Sequence, residues 1–163
     1  LRAAGHTAYR LVFGEGDGLP AVVADRYGRF AVVQPHAASV ERFLPVVARS
    51  LLRAARLKGV VVRRRDGLEV LAGEAPPPEE TIVENGLRFL ANLREGQKTG
   101  LFLDHREHRA RVRELAEGRR VVNLFAYAGG FSVNALAGGA REVWSVDVAE
   151  AALRDADRNV ALN

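Results

Sequence analysis

RRVVNLFAYAGGFSVNALAGGAREVWSVDVAEAALRDADRNVALN, residues 119–163, carries the clearest structural pattern in the chain. The run from Val121 to Phe125 is short, apolar and rich in β-formers, which predicts a strand buried on both faces of a parallel sheet. A turn over 126–130 leads into a predicted helix that ends at Ala137 before two glycines. Residues 143–146 predict a second strand and complete a βαβ unit. An amphipathic helix follows, with a packed face of Ala149, Ala152, Leu153, Ala156 and Val160.

An acidic residue, Asp147, stands at the carboxyl end of the second predicted strand, about 20 residues after Gly129. Ligands of a doubly wound sheet bind outside the carboxyl ends of its strands, so we expect the glycine turn and Asp147 to face one crevice. A carboxylate there can accept hydrogen bonds from both hydroxyls of a ribose.

The residues of the turn bear on which nucleotide it binds. The turn lacks the G-x-G-x-x-G spacing that a dinucleotide pyrophosphate requires. Phe125 and Tyr127 would obstruct a phosphate but can flank an adenosine or a methionine chain. The pattern therefore favours S-adenosylmethionine (SAM) over NAD, and a βαβ unit that binds nothing stays open.

The composition is that of an ordinary globular protein: 163 residues, 48% hydrophobic and 27% charged. No apolar run reaches the roughly 18 residues of a membrane span and no signal peptide is visible, so we expect a cytoplasmic protein without a membrane partner. The sequence has no cysteine and no methionine. Because it starts without methionine and ends after two strands of the predicted sheet, we interpret it as an internal piece of a larger protein.

Residues 1–78 predict a small central α/β domain of three strands, a helix and a further strand. The strands are predicted at 9–13, 21–24, 30–34 and 59–65, with Asp25 to Arg29 as a hairpin turn, and the helix has apolar residues at Val40, Phe43, Leu44, Val47 and Leu51. A proline-rich linker, residues 73–80, predicts the domain boundary near Pro77. Residues 79–163 are then the first part of a Rossmann-like α/β domain.

The first part of this second predicted domain contains a hairpin and a helix start. Asn85-Gly86 predicts the hairpin turn. Asp104 and Glu107 have the spacing of a capping box that opens a helix to about residue 116. A P-loop is rejected, because Gln97 stands where the glycine before Lys98 should be. His105 and His108 lack a third ligand nearby, so no metal is expected.

Basic residues number 24, and all except Lys58 and Lys98 are arginine. The net charge of +4 weakly favours an acidic partner such as nucleic acid. Two clusters are candidates for RNA phosphate contacts, and each is alternatively a solvated surface. These candidates are Arg63 and Arg65 of the triple-arginine run, and Arg109 and Arg113, which share one face of the predicted helix with Arg106.

Four segments carry a family resemblance: GDGLPAVVADRYG (16–28), ENGLRF (84–89), GQKTGLFLDHREHR (96–109) and NLFAYAGGFSVNALAGGA (123–140). In this order they resemble the bacterial class I SAM-dependent 23S rRNA cytosine-5 methyltransferases with an N-terminal PUA domain. The resemblance implies an RNA-binding PUA domain, a central α/β domain and a Rossmann-like methyltransferase domain. Its implied cofactor is SAM and its implied partner is RNA, 23S rRNA in particular.

The resemblance also implies site residues. The donor pocket would be walled by Gln97, Lys98, Thr99, Gly100, Phe102, Asp104 and Arg106. The methionine-side turn would consist of Asn123, Phe125, Tyr127, Gly129 and Gly130, and Asp147 would hold the ribose. One position departs from the family, which usually has threonine where this chain has Ala128.

The implied chemistry begins with addition of a cysteine thiolate to cytosine C6, and a flipped base then accepts the methyl group at C5. This sequence contains no cysteine, so no catalytic residue is assigned and the piece by itself is expected to be inactive. A class I methyltransferase with another substrate, a nicotinamide-binding oxidoreductase and a non-catalytic RNA-binding module remain alternatives. The target nucleotide and the oligomeric state are not indicated.

Overall fold

The computed structural model describes residues 5–94, 96 and 98–163, which divide into two compact units. The first unit comprises residues 1–82 and 91–102, and the second comprises residues 83–90 and 103–163. The chain thus divides inside a β-hairpin, whereas the sequence places the domain boundary near Pro77.

The first unit contains a five-stranded sheet in the order β1-β2-β3-β4-β5. Neighbouring strands are antiparallel except β3 and β4, which are parallel and joined through the helix α1. The strands are β1 (Ala8–Phe13), β2 (Val22–Tyr27), β3 (Phe30–Pro35), β4 (Gly59–Arg64) and β5 (Gly67–Gly73), and α1 is Leu44–Ala54.

Two features of this unit differ from the sequence prediction. β5 was missed and its end assigned to the linker, because this edge strand has no fully buried residue and so a weak apolar pattern. β2 continues through Asp25 to Tyr27, residues that were predicted as a turn. Asp25 stands opposite Arg10 of β1 in the sheet, so its charge is paired within the strand rather than exposed in a turn.

Both faces of this sheet are covered. On one face Ala24, Val33, Val60 and Val62 pack with Leu44 and Ala48 of α1. On the other face, Tyr27 and Arg63 make hydrogen bonds to the segment 91–102. The two layers leave Val32 and Val61 fully buried.

The hairpin strands are β6 (Glu79–Glu84) and β7 (Leu87–Asn92). Asn85 and Gly86 join them with φ angles of 51° and 79°, which confirms the predicted turn. The remaining elements are α2 (Arg106–Leu115), β8 (Arg120–Leu124), α3 (Gly130–Ala137), β9 (Glu142–Val146) and α4 (Glu150–Ala161). Among the described residues, no helix is long and apolar enough to cross a membrane.

The βαβ unit is confirmed in the second unit, where β8 and β9 are parallel and α3 connects them. The predicted burial of its first strand on both faces is wrong. Val122, Leu124 and Trp144 are 62%, 61% and 63% exposed, because the helices of this unit cover only the opposite face of β8 and β9. On α4, Asn159 is buried while Val160 is 38% exposed, so the packed face differs in part from the predicted one.

The start of α2 also differs from the prediction. A 3₁₀ turn occupies Leu103–His105, and the α-helix begins at Arg106 with His105 as its N-cap. His105, as N-cap, makes no side-chain capping hydrogen bond. Asp104 therefore lies within the 3₁₀ turn, before the position from which a capping side chain reaches the helix amides.

Candidate functional site

The glycine turn and Asp147 meet in the second unit, as the sequence predicts for a doubly wound sheet. The backbone amide of Tyr127 donates to Asp147 Oδ2 at 2.8 Å, and the amide of Ala149 donates to Oδ1 at 3.0 Å. A backbone bond of 3.0 Å from Ala126 N to Val146 O joins the two strand ends. One carboxylate thus ties the turn after β8 to the loop after β9.

The same contacts set the charge of Asp147. Amide hydrogen bonds from Ala149 and then Tyr127 lower the pKa of its carboxyl, and they outweigh the opposing effect of burial. The group is ionised at neutral pH. Each carboxylate oxygen has a second lone pair, so both can accept a further hydrogen bond, for example from a ribose hydroxyl.

The turn holds two aromatic residues in the left-handed backbone region. Phe125 has φ 57° and Tyr127 has φ 47°, a conformation rare for bulky residues. Phe125 is 88% exposed, so packing within the described chain does not account for its conformation. Strain of this kind concentrates at ligand sites, where the surrounding structure maintains it.

Gly129 and Gly130 are each required for a different structural reason. Gly129 has φ 72°, and a Cβ there would lie 2.7 Å from Ala156 Cβ on α4. Gly130 is the first residue of α3, and a Cβ there would lie 3.0 Å from Arg109 Cδ. The pair of glycines therefore admits α4 on one side and a buried arginine on the other.

Asn123, predicted to form part of the turn, lies in β8 below it. Its Nδ2 donates to Ser132 Oγ at 2.9 Å, and Ser132 Oγ is 2.7 Å from Ser145 Oγ. This chain of polar groups joins β8, α3 and β9 on the helix-covered face. Neither serine was singled out from the sequence, where small polar residues in apolar segments gave no distinct signal.

Arg106 and Arg109, predicted on an exposed face of α2, are instead buried around Glu84. The Arg109 side chain is 5% exposed and donates from Nε and Nη2 to the Glu84 carboxylate at 2.7 and 2.8 Å. Arg106 Nε lies 3.4 Å from Glu84 Oε2. The prediction of Arg109 as an RNA phosphate contact is therefore wrong, because its guanidinium is buried and paired with Glu84. Arg106 as a wall of the donor pocket stays a prediction.

Of the other candidates for RNA contacts, two arginines are bound to backbone carbonyls and one is exposed. Arg63 donates to Leu93 O at 2.5 Å, and Arg113 donates to Asn85 O at 3.1 Å. Both side chains are partly buried, and each holds a backbone segment that is distant in sequence. Arg65 is exposed at the end of β4 and remains a candidate.

Asn159 is a site-supporting residue that sequence reasoning missed. Its side chain is fully buried, accepts from Leu90 N at 2.7 Å and donates from Nδ2 to Ala128 O at 2.8 Å. It thereby fixes the carbonyl that directly precedes Gly129. One helical turn later, Asn163 bonds both the amide and the carbonyl of Arg88 at 2.8 Å. The sequence signal that could have identified Asn159 is a polar residue on the apolar face of the predicted helix.

In the first unit, the GQKTG segment is fastened to the sheet through Thr99. Its hydroxyl donates to Asp25 Oδ2 at 2.7 Å and lies 2.8 Å from the Tyr27 hydroxyl. Arg10 neutralises the same carboxylate at 2.8 Å. Thr99 is 1% exposed, so its side chain anchors the segment rather than lining an open wall. Asp25 and Tyr27 were missed as supports because their segment was predicted to be a turn.

The other residues of that segment have different surroundings. Lys98 is exposed, with φ 53° and its Nζ 4.3 Å from the centre of the Phe102 ring. Gly100 is buried beside Leu93. Gln97 lies outside the described residues. Lys98, Gly100, Phe102 and Asp104 as donor contacts remain predictions.

The histidines of the 3₁₀ turn and α2 are close neighbours. The rings of His105 and His108 are 5.9 Å apart, and His105 also lies 6.0 Å from the Phe131 ring. Within residues 5–94, 96 and 98–163 there is no group of three or more potential metal-binding side chains.

Comparison with known proteins places this geometry in a family. The model for S-adenosylmethionine-dependent methyltransferases matches residues 37–163. The chain belongs to this family. Its predicted Rossmann-like fold and its predicted donor are thereby confirmed, and the nicotinamide alternative loses its support.

Similar proteins include ribosomal RNA methyltransferases. Ribosomal RNA large subunit methyltransferase I of Erwinia tasmaniensis is 43% identical over 166 residues, which cover 96% of this chain and 42% of that protein. Ribosomal RNA large subunit methyltransferase of Deinococcus radiodurans is 43% identical over 176 residues, covering 100% and 43%. A solved candidate methyltransferase complexed with S-adenosylhomocysteine (SAH) superposes with a TM-score of 0.90 at 32% identity, covering 99% and 43%. The chain thus spans less than half the length of these relatives.

Proposed function

We propose that the intact protein transfers a methyl group from SAM to large-subunit ribosomal RNA in the cytoplasm, at C5 of a cytosine. The observation that carries the donor site is the clamp between the Tyr127 amide and the Asp147 carboxylate, which brings an acid and a glycine turn to one crevice. The rRNA substrate is supported by the names of relatives that are 43% identical to this chain. The C5 position and an additional PUA domain are supported by the motif resemblance alone.

The residues of the second unit fit a nucleoside donor without a phosphate. Asp147 is ionised and has lone pairs available for two ribose hydroxyls. Phe125 presents an exposed aromatic surface beside it, which suits an adenine ring or a methionine chain. Ala128 lacks the hydroxyl that the family usually has, so we expect the backbone of the turn to supply the polar contacts there.

In the proposed reaction SAM supplies an activated methyl group, and this chain positions the donor. Asn159 and Asp147 hold the backbone of the turn from its two sides, through Ala128 O and Tyr127 N. Gly129 and Gly130 keep that backbone free of side chains. The thiolate that the resemblance implies for cytosine C6 is not among these residues, since the sequence has no cysteine. The role proposed for this chain is therefore donor binding and orientation.

The donor assignment is tested by comparing ligands in the intact protein. Isothermal titration should give saturable binding of SAH and no binding of NADH at the same concentrations. Both ligands contain a ribose, so a substitution at Asp147 cannot tell them apart and the ligands themselves must be compared. Equal binding of the two would refute the SAM assignment.

The substrate assignment needs a separate measurement. Intact protein, labelled SAM and unmodified large-subunit rRNA should yield labelled RNA, and nuclease digestion with mass spectrometry should identify 5-methylcytidine. Methylation of transfer RNA or protein without rRNA labelling would support the alternative of a class I methyltransferase with another substrate.

A further inference from the structure

The outer side of α1 carries a row of exposed arginines, which we call the arginine stripe: Arg42, Arg49, Arg53 and Arg56. Arg49 and Arg53 lie one turn apart on α1, and Val46 shares their face. Arg42 lies in the 3₁₀ turn before the helix, and Arg56 follows the helix directly. The opposite side of α1 packs on the sheet through Leu44 and Ala48.

Other arginines of the first unit are used to hold its fold. Arg10 pairs with Asp25, and Arg64 pairs with Glu41 and Glu69. Arg26 donates to backbone carbonyls, as Arg63 does. In the part of the chain that the structure describes, the side chains of the arginine stripe have no acidic partner. The sequence of α1, LPVVARSLLRA, contains no acidic residue.

The arginine stripe is not explained by helix stability. Like charges spaced i, i+4, such as Arg49 and Arg53, destabilise a helix slightly. The spacing of these arginines therefore does not serve the stability of α1, and a contact outside the unit is the alternative that their exposure allows.

The chemistry of this face matches single-stranded or locally unpaired RNA. At about 1.5 Å per residue the arginine stripe extends over roughly 20 Å, long enough for several consecutive phosphates. Phe43 is 49% exposed, and the Arg42 guanidinium lies 4.7 Å from the centre of its ring. Guanidinium and aromatic planes are the surfaces on which unpaired bases stack.

We propose that the arginine stripe, with Phe43, is a contact surface for the RNA substrate. The inference rests on the proposed function, because the partner is the ribosomal RNA named there. The helix α1 covers one face of the sheet, and the segment 91–102, which carries predicted donor contacts, lies on the other face. We therefore expect these arginines to contribute to RNA affinity and to leave donor binding unaffected. A membrane surface fits less well, because Leu44 and Ala48 of α1 pack on the sheet, and Val46 and Phe43 are the large apolar side chains exposed beside the charges.

The test is the double variant R49Q/R53Q in the intact protein, with R154Q/R158Q as its matched control. The control removes the same charge at the same i, i+4 spacing from α4, where Arg154 and Arg158 are 68% and 49% exposed. Binding of unmodified large-subunit rRNA is measured at several salt concentrations, and SAH binding is measured in parallel. We expect R49Q/R53Q to weaken RNA binding roughly tenfold and to lower the salt slope by about 1 for each arginine. SAH affinity should not change.

The outcomes separate this inference from the proposed function. If the wild type methylates rRNA and both variants bind RNA equally well, the arginine stripe is not an RNA surface. Equal losses in both variants would show a general charge effect and also overturn it. Loss of binding to phosphatidylserine vesicles with unchanged RNA binding would assign the surface to a membrane instead. If the wild type methylates no rRNA but R49Q/R53Q alone weakens RNA binding, the surface stands and the proposed reaction falls.

Discussion

The two units build their sheets in different ways. In the first unit Val32 and Val61 are 0% exposed, because α1 and the segment 91–102 cover both faces. In the second unit β8 and β9 have helices on one face only, and Val122 and Trp144 are more than 60% exposed on the other. Apolar burial is thus complete at the centre of the first sheet, whereas the second sheet is covered on one face only.

The two units also differ in how they hold their functional segments, which are the GQKTG segment in the first unit and the turn after β8 in the second. The first unit fastens the GQKTG segment to the buried centre of its sheet through Thr99, Asp25 and Tyr27. The second unit holds its turn through the buried Asn159 and the partly buried Asp147, and Arg109, which lies against Gly130, is paired with the buried Glu84. Such groups stabilise only when both partners are present, and removing one leaves the other buried without compensation. We therefore expect single polar substitutions to be costly in both units, and most costly at Glu84, where two buried arginines lie against one carboxylate.

The largest effect is expected for Glu84→Gln. It leaves the buried Arg109 without its carboxylate, and breaking a buried ion pair in this way costs about 3–5 kcal/mol in the free energy of unfolding. Urea denaturation followed by circular dichroism measures it. Glu114→Gln is the matched control, because its ion pair with Arg111 is about two-thirds exposed on both sides, and a loss below about 0.5 kcal/mol is expected. Equal losses in the two variants would contradict the role of Glu84.

Gly129→Ala should have the next largest effect, about 2–3 kcal/mol, because it adds a clash with Ala156 to the strain of a positive φ. Gly118→Ala separates the two causes. Gly118 has a similar φ of 67° but no atom within 4 Å of the added Cβ. We expect that control to lose about 1 kcal/mol. If the two variants lose the same free energy of unfolding in thermal or urea denaturation, the close approach of α4 is not a constraint on the turn.

Tyr27→Phe tests the corresponding anchor in the first unit. It removes the hydroxyl that lies 2.8 Å from Thr99 Oγ1 and accepts from Leu101 N at 3.1 Å, with an expected loss of about 1–2 kcal/mol. The ring remains, so the sheet should stay intact while amide exchange of residues 98–101 accelerates. Tyr9→Phe is the control, since its hydroxyl meets Arg26 at 3.5 Å only. Unchanged exchange at Leu101 would argue against the anchor.

Trp144→Ser compares the exposed face of the second sheet with the buried sheet of the first. Because Trp144 is 63% exposed, we expect a change below about 0.5 kcal/mol together with reduced self-association in analytical ultracentrifugation. Val61→Ala, at a fully buried site, should cost about 2 kcal/mol. A large destabilisation by Trp144→Ser would mean that another surface covers this face.

The smallest effect is a pH dependence that arises from Asp147. Amide hydrogen bonds hold the pKa of its carboxyl below the usual value, so its contribution to stability is present above the unfolded-state pKa of about 4. That contribution is lost as the pH falls through the lower pKa of the folded state. Asp147→Asn should therefore flatten the pH dependence of the denaturation midpoint below about pH 4. Parallel curves for variant and wild type would contradict the shift.

Several features could be predicted from sequence because they depend on neighbouring residues. The periodicity around β8, α3 and β9 predicts the βαβ unit, and Asn85-Gly86 predicts the turn between β6 and β7. The position of Asp147 after the second strand predicts the crevice, since strand ends in a parallel sheet meet at one edge. Each of these signals is contained in a short stretch of sequence or in a single βαβ unit.

Only the tertiary structure decided which polar side chains are structural. Glu84 and Arg109 stand 25 residues apart and Asp25 and Thr99 stand 74 apart, so no local pattern identifies them as partners. Arginines that look alike in the sequence differ in the fold: Arg63 and Arg109 are bound within their units, whereas Arg49 and Arg53 face outward. The exposure of β8 on one face was equally undetermined, because an apolar strand has the same composition whether one face or both are covered. Burial and pairing depend on which distant segments meet, and that is settled only when the chain has folded.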